Sequence, residues 1–294
     1  MTAPPPPGDL SNVRQGPAVC VRHPDRPTGL RCVRCDRPAC PECLREASVG
    51  YQCVDCVNQG RATVRRGTTV AGATPGRALV VVPSLIVLNV AIFAFTAFQA
   101  QDIQYNERSE LFQEWVLWPV FAIGLDQPWR LLTAGFLHYG PLHLALNMLA
   151  LWILGREIEP LLGRARFAAV YLLALFGGSV AVFQFGAWDA RTAGASGAVW
   201  GIMAALLVAL VRLKLDLRPV LGVILINVFI SFLPGVSLLG HLGGFVAGAA
   251  ATAALVYAPR DRRTLVQVGA LVTIGLVLLG ITALRWAELT SRIG

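Results

Sequence analysis

"GASGAVWGIMAALLVALV", residues 194–211, places a serine among the smallest side chains and then runs for fourteen residues without a charge. At 1.5 Å per residue such a run covers about 21 Å, short of the roughly 30 Å of a bilayer's hydrocarbon. It suits a membrane helix only if other helices screen it from lipid. A hydroxyl is also unfavourable to bury without a partner, so Ser196 has to be explained by what it faces.

The surrounding chain supports the membrane reading. Of 294 residues, 55% are hydrophobic and only 14% charged, with a mean hydropathy of +0.60, well above the apolar share of soluble chains. Leu79–Phe98 and Leu265–Leu284 are each 20 residues free of formal charge, long enough to cross unaided. Between them lie Leu142–Leu154, Phe167–Phe185, Ala198–Val211, Val220–Leu233 and Leu238–Tyr257, separated by charged, turn-forming stretches such as "GREIEPLLGRAR" and "RLKLDLRP". The expectation is an all-α polytopic membrane protein with seven transmembrane helices.

Arginine and lysine set its orientation. Arg61, Arg65, Arg66 and Arg77 precede the first span; Arg156, Arg164 and Arg166 follow the second. Arg212, Lys214 and Arg218 follow the fourth, and Arg260, Arg262 and Arg263 the sixth. The alternate loops, 99–130 and 186–197, are poor in basic residues. These observations place the N-terminus in the cytoplasm and the C-terminus outside, in a multi-pass protein assigned to the plasma membrane. The net charge of +8 follows largely from inside-loop arginines and calls for no nucleic acid.

The organisation expected is a disordered Pro-rich start (1–15), a metal-binding module (16–60), a basic linker (61–78), a six-helix core (79–257), and a seventh helix with the C-terminal tail (258–294). No apolar stretch follows a basic start, so no cleavable signal peptide is expected. All seven cysteines fall in the module, as "CVRH" (20–23), "CVRC" (32–35), "CPEC" (40–43) and "CVDC" (53–56). With His23 they make eight ligands in four pairs. Disulfides are disfavoured in a reducing cytosol, and pairs two residues apart suit two tetrahedral zinc sites. So short a segment has little hydrophobic core, so metal binding would supply most of its folding free energy. A redox or iron–sulfur centre is the competing use of the thiols. The spacing resembles B-box-type zinc fingers. That resemblance implies that Cys20, His23, Cys40 and Cys43 hold one zinc and Cys32, Cys35, Cys53 and Cys56 the other, and that the module binds a protein partner. The last pair departs from the pattern, where histidines are common.

The other three histidines, His138, His143 and His241, sit at the outer ends of spans. Ionisable groups in membrane segments are costly and usually face an interior or a water cavity, although a single one can serve as an interhelical hydrogen bond. His143 and Asn147 are four apart and share a helix face. Gly197 and Gly201, like His241, Gly244 and Gly248, mark faces on which another backbone can approach closely. If those faces pack together, Ser196 and His241 meet, which is the minimum for an activated serine.

From about Val80 to Tyr257 the chain resembles the rhomboid family of intramembrane serine proteases. The resemblance rests on "WR" (129–130), "HYGPLHLALN" (138–147), "GASG" (194–197) and "HLGGFVAG" (241–248), in the family's order. It implies a six-helix core with an added C-terminal helix and a cofactor-free Ser196–His241 dyad. It further implies an oxyanion hole from His143, Asn147 and the Ser196 backbone N–H, and substrates that are transmembrane segments of other proteins. His138 would brace the neighbouring loop, Trp129 and Arg130 would anchor residues 99–130, and Gly194, Gly197, Gly244 and Gly248 would support the site. The aromatic stretch "LFQEWVLWPVF" (111–121) is expected in the outer interface. A rhomboid-like protein that binds transmembrane clients without cutting them is the alternative.

Overall fold

The computed structural model describes residues 18–63, 67–74, 78–233 and 235–293, and the chain falls into two units, residues 1–66 and 67–294. The Pro-rich start and Arg65, Arg66 and Arg77 lie outside the described residues.

The first unit is built on its thiols. Strand β1 (Val19–Cys20) pairs antiparallel with β2 (His23–Pro27), β3 (Leu44–Glu46) pairs with β4 (Tyr51–Cys53), and helix α1 (Val54–Thr63) follows. Its core consists of the cysteines with Ala39 and Leu44. Sulfur occupies the place that aliphatic side chains take in larger domains.

The second unit is helical. It comprises α2 (Val81–Ala100), the short helices α3 (Glu110–Trp115), α4 (Pro119–Gly124) and α5 (Arg130–Thr133), and then α6 (Gly140–Leu162) and α7 (Arg164–Phe185). Helices α8 (Ser196–Leu213), α9 (Arg218–Ile230), α10 (Leu238–Val256) and α11 (Arg263–Ile293) complete it. Each apolar segment expected from the sequence therefore forms a helix. Five of them, α2, α7, α8, α10 and α11, are long and apolar enough to cross a membrane, and the α5 segment (Arg130–Phe136) with α6 makes a sixth across a 90° bend. The expected seventh, α9, has 13 residues, about 20 Å of helix. Among the described residues, then, five or six of the expected helices meet the length of a full crossing, and α9 is the short apolar one.

The second expected span also ends later than its charges suggest. Helix α6 continues through Arg156, Glu157 and Glu159 and stops at Gly163, whose φ of +83° ends the turn. Glu159 explains the difference. Its carboxylate, 2% exposed, accepts hydrogen bonds from the backbone N–H groups of Val80, Val81 and Val82 at 2.8–3.0 Å. These are donors at the start of α2 that no turn of the helix can satisfy, and a carboxylate there also complements the helix dipole. The segment expected as linker departs too: α1 runs to Thr63, and Ala71, fully buried, accepts a hydrogen bond from Gln267 Nε2 of α11 at 2.9 Å.

Helices α7, α8 and α10 form the centre. A methyl added at Gly244 would run into the backbone of Gly197, and one at Gly248 into that of Gly201. The two small-residue faces pack directly on each other, so the N-terminal ends of α8 and α10 lie side by side. Tyr171, Ile202 and Leu255, each fully buried, fill the core around them.

Candidate active site

Gly194 shapes the loop that presents Ser196. Its φ is +133°, a conformation side-chain-bearing residues rarely adopt, and a Cβ there would stand 2.8–2.9 Å from the His143 ring. Glycine is required on both counts. The loop is pinned by two hydrogen bonds to the preceding turn, from Gly194 N–H to the Ala134 carbonyl at 3.0 Å and from Ala195 N–H to His138 Nε2 at 3.5 Å. Ser196 then begins α8, and its backbone N–H is among those the helix leaves unpaired.

His143 lies one turn from Asn147 on α6. Its Nδ1 accepts the Tyr139 backbone N–H at 3.2 Å, so in the neutral ring the proton sits on Nε2. Nε2 is the edge that faces Gly194, and Ser196 Oγ faces the same point. Asn147, 7% exposed, donates through Nδ2 to the His143 carbonyl at 2.9 Å, which leaves the second amide proton free of that bond.

His241 occupies the first turn of α10. Its ring stacks on Trp200, centroids 5.0 Å apart at 20°, and its Nδ1 lies 2.6 Å from Ser231 Oγ. Trp200 is one helical turn beyond Ser196, so α8 carries both the hydroxyl and the ring that holds the imidazole flat. Ser196, His241, His143, Asn147 and Trp200 line one cavity of about 810 Å³. Among the described residues no side-chain hydrogen bond reaches Ser196 Oγ or His241 Nε2. Such bonds are commonly long in free enzymes and tighten around substrate.

The supporting residues divide. Arg130, 3% exposed, donates to the Gln113 and Val116 carbonyls at 2.6 and 2.9 Å and to Gln127 Oε1 at 2.7 Å. It ties the 99–130 loop down, whereas the Trp129 side chain is exposed. His138 is fully buried, and its carbonyl accepts from Asn106 Nδ2 at 2.9 Å. In the stretch expected at the outer interface, Phe112, Val116 and Leu117 are instead buried, because Leu117 pairs with Thr192 beside the serine loop.

Sequence reasoning missed Trp200 and Ser231. The first carries a usable signal, its i+4 spacing from Ser196. Ser231 carries none, because its partner lies across a turn.

The N-terminal unit holds two ligand clusters, Cys20/His23/Cys40/Cys43 and Cys32/Cys35/Cys53/Cys56, each with its ligand atoms within 4.8 Å of one another. A tetrahedral zinc with bonds of about 2.0–2.3 Å holds its N and S ligands roughly 3.5–3.8 Å apart. His23 Nδ1 lies 3.9, 3.4 and 3.3 Å from the sulfurs of Cys20, Cys40 and Cys43, and the Cys35 and Cys53 sulfurs are 3.7 Å apart. The Arg37 side chain beside Cys35 lowers that thiol's pKa, while burial pushes Cys43 up to about 11 and Cys56 to about 12. Thiols gathered this closely do not all ionise without a cation among them. Both clusters can hold zinc.

Residues 125–258 match the Rhomboid domain family model. The chain is 44% identical over 133 residues to Rhomboid protease GluP of Bacillus subtilis (strain 168), covering 43% of this chain and 26% of that protein. It is 38% identical over 130 residues to RHOMBOID-like protein 6, mitochondrial, of Arabidopsis thaliana, covering 42% of each. With Rhomboid-like protease 3 of Toxoplasma gondii it shares 27% identity over 205 residues, 66% of this chain and 76% of that one. The chain thus spans from about a quarter to less than half of the first two relatives, and with a mitochondrial protein among them the likeness does not choose the membrane. The match covers α5 to α10 and with them Ser196, His241, His143 and Asn147, so this multi-pass membrane chain carries a rhomboid domain over residues 125–258.

Proposed function

We propose that the protein is a serine protease that hydrolyses peptide bonds in or near transmembrane segments of other membrane proteins. The observation that carries the reading is the cavity shared by Ser196, His241, His143 and Asn147, with the His143 Nε2 proton facing the serine loop. His241 Nε2 takes the Ser196 hydroxyl proton as Oγ attacks the substrate carbonyl carbon. The resulting oxyanion receives hydrogen bonds from His143 Nε2–H, Asn147 Nδ2–H and the Ser196 backbone N–H, donors aimed where charge develops. His241 then protonates the leaving amine, and water, activated by the same imidazole, hydrolyses the acyl-enzyme. A substrate helix must unwind locally, since its carbonyls are otherwise held in the helix's own hydrogen bonds.

The reading extends to topology and to the module. Arg-rich loops favour a cytoplasmic N-terminus and an external C-terminus, which opens the cavity on the external side of the cell membrane. Zinc in both N-terminal clusters would hold that unit folded as a docking module for a protein partner, outside the catalytic steps. The test is cleavage of a substrate with a transmembrane segment rich in small residues, by purified protein in detergent beside Ser196→Ala. Cleavage that depends on the hydroxyl supports the reading. Equal cutting by a folded Ser196→Ala protein overturns it, and binding without cutting by the wild type favours the client-binding alternative.

A further inference from the structure

Among the described residues no carboxylate bonds to His241, yet its Nδ1 is not idle. Ser231 closes α9 as its C-cap, and its hydroxyl donates to the Asn227 carbonyl at 2.8 Å while lying 2.6 Å from His241 Nδ1. A hydroxyl has one proton. A carbonyl can only accept, so with that proton on Asn227 the Ser231 oxygen faces His241 as an acceptor. Nδ1 then carries the hydrogen in the neutral ring, and the lone pair is left on Nε2, the atom the serine needs.

The contact is also singular in its element. None of the residues Arg218–Ile230 is buried, whereas Ser231 is 2% exposed. Helix α9 touches the core closely at its end, and there it meets the imidazole. Trp200 holds the other side of the ring by stacking, but a stacked ring can still carry its proton on either nitrogen. Only a hydrogen-bonding partner at Nδ1 selects between them.

We propose that Ser231 is a positioning residue for the reaction, resting on the reading of His241 as its base. Backed by the Asn227 carbonyl, its oxygen holds His241 in the Nδ1–H tautomer and receives that hydrogen bond more strongly when the ring becomes imidazolium. It occupies the place of the third member of a triad, with a neutral hydroxyl and a backbone dipole in place of a charge. His143 is set the opposite way, its Nδ1 accepting the Tyr139 N–H. One ring is therefore a donor at Nε2 and the other an acceptor there, as oxyanion donor and base require.

The test uses the full chain, labelled with ¹⁵N-histidine in detergent micelles. It carries four histidines, and the His241 signals are assigned as those missing from His241→Gln. The expected result is an Nδ1–H tautomer for His241 in wild type, a mixed tautomer in Ser231→Ala, and the wild-type pattern in Ser231→Thr, which keeps the hydroxyl. With the transmembrane substrate, kcat should fall about 10- to 100-fold in Ser231→Ala at unchanged KM, in line with loss of one hydrogen bond to a charged group, and Thr should restore it. An Nε2–H tautomer in wild type, or unaltered tautomer and kcat in Ser231→Ala, would overturn the proposal. The tautomer reading needs no turnover. A wild-type protein that fluorophosphonate leaves unlabelled would sink the protease reading and with it the catalytic part of Ser231. A labelled wild type with an unaffected Ser231→Ala would sink this proposal alone.

Discussion

At Gly194 a single missing side chain lets the serine loop close over His143. Gly194→Ala would put a methyl within 2.9 Å of the imidazole and force φ away from +133°. Catalysis is sensitive to displacements of about 1 Å, which can cost on the order of 100-fold. Gly194→Ala is therefore expected to reduce cleavage about 100-fold or more. Its thermal unfolding temperature in detergent should change little beside that loss. Ser196→Ala and His241→Ala are expected to abolish cleavage, and the double substitution should add little, because the pair acts as a unit. His143→Ala or Asn147→Ala removes one oxyanion donor and should slow turnover roughly 100- to 1,000-fold, about 2.7–4 kcal/mol in the barrier. Rates of fluorophosphonate labelling read all four. Proportional losses of stability and activity at each position would instead mean that these residues only pack helices.

Among the elements, α8 and α10 carry the tightest constraint. Their backbones meet at Gly197/Gly244 and Gly201/Gly248, and a larger residue there must push two helices apart. Gly244→Leu is expected to lower stability by about 1–3 kcal/mol or more, and to take activity with it by parting Ser196 from His241. Gly269 on α11 has open space where an added methyl would stand, with nothing within 4 Å, so Gly269→Ala should leave stability unchanged or raise it by about 0.5–1 kcal/mol. Thermal unfolding in one detergent compares the two, and equal effects would contradict the packing. Arg130 belongs to the same scale. Replacing it with Ala leaves the Gln113 and Val116 carbonyls without a donor, at roughly 1–3 kcal/mol, and limited proteolysis should then cut the 99–130 loop first.

For the whole molecule, two kinds of chemistry sit in one chain: a unit held by thiol clusters and a helical unit with a serine. Purified protein is expected to contain about two zinc ions per chain by elemental analysis, and chelation should unfold the N-terminal unit. Cleavage of a generic substrate should survive chelation, because no zinc ligand lines the cavity of Ser196. Iron with visible charge-transfer absorbance would contradict the first expectation, and complete loss of cleavage by a still folded helical unit the second. Reporters fused after Arg66 and Arg263 should read as cytoplasmic and one after Arg292 as external. An external reading at Arg66 would turn the catalytic cavity to the opposite side.

The seven apolar segments and the eight candidate zinc ligands were legible in the chain because they follow from short-range spacing, whereas the division of the ligands into two sets and the roles of Ser196, His241, His143 and Asn147 came from the family resemblances. His143 and Asn147 share a helix face, the cysteines come in x2 pairs, and small residues repeat every four. What the chain did not disclose are relations across elements. "GREIEPLLGRAR" reads as a charged loop because five ionisable residues fall within twelve, and only the packed fold supplies the α2 N–H groups that let Glu159 be buried in a continuing helix. "LFQEWVLWPVF" reads as interfacial until Leu117 pairs with Thr192 and draws part of it inside. The tautomer of His241 is likewise decided by the fold. Ser231 and His241 stand on separate helices, and a hydrogen bond between them depends on how the end of α9 docks, for which linear spacing carries no signature.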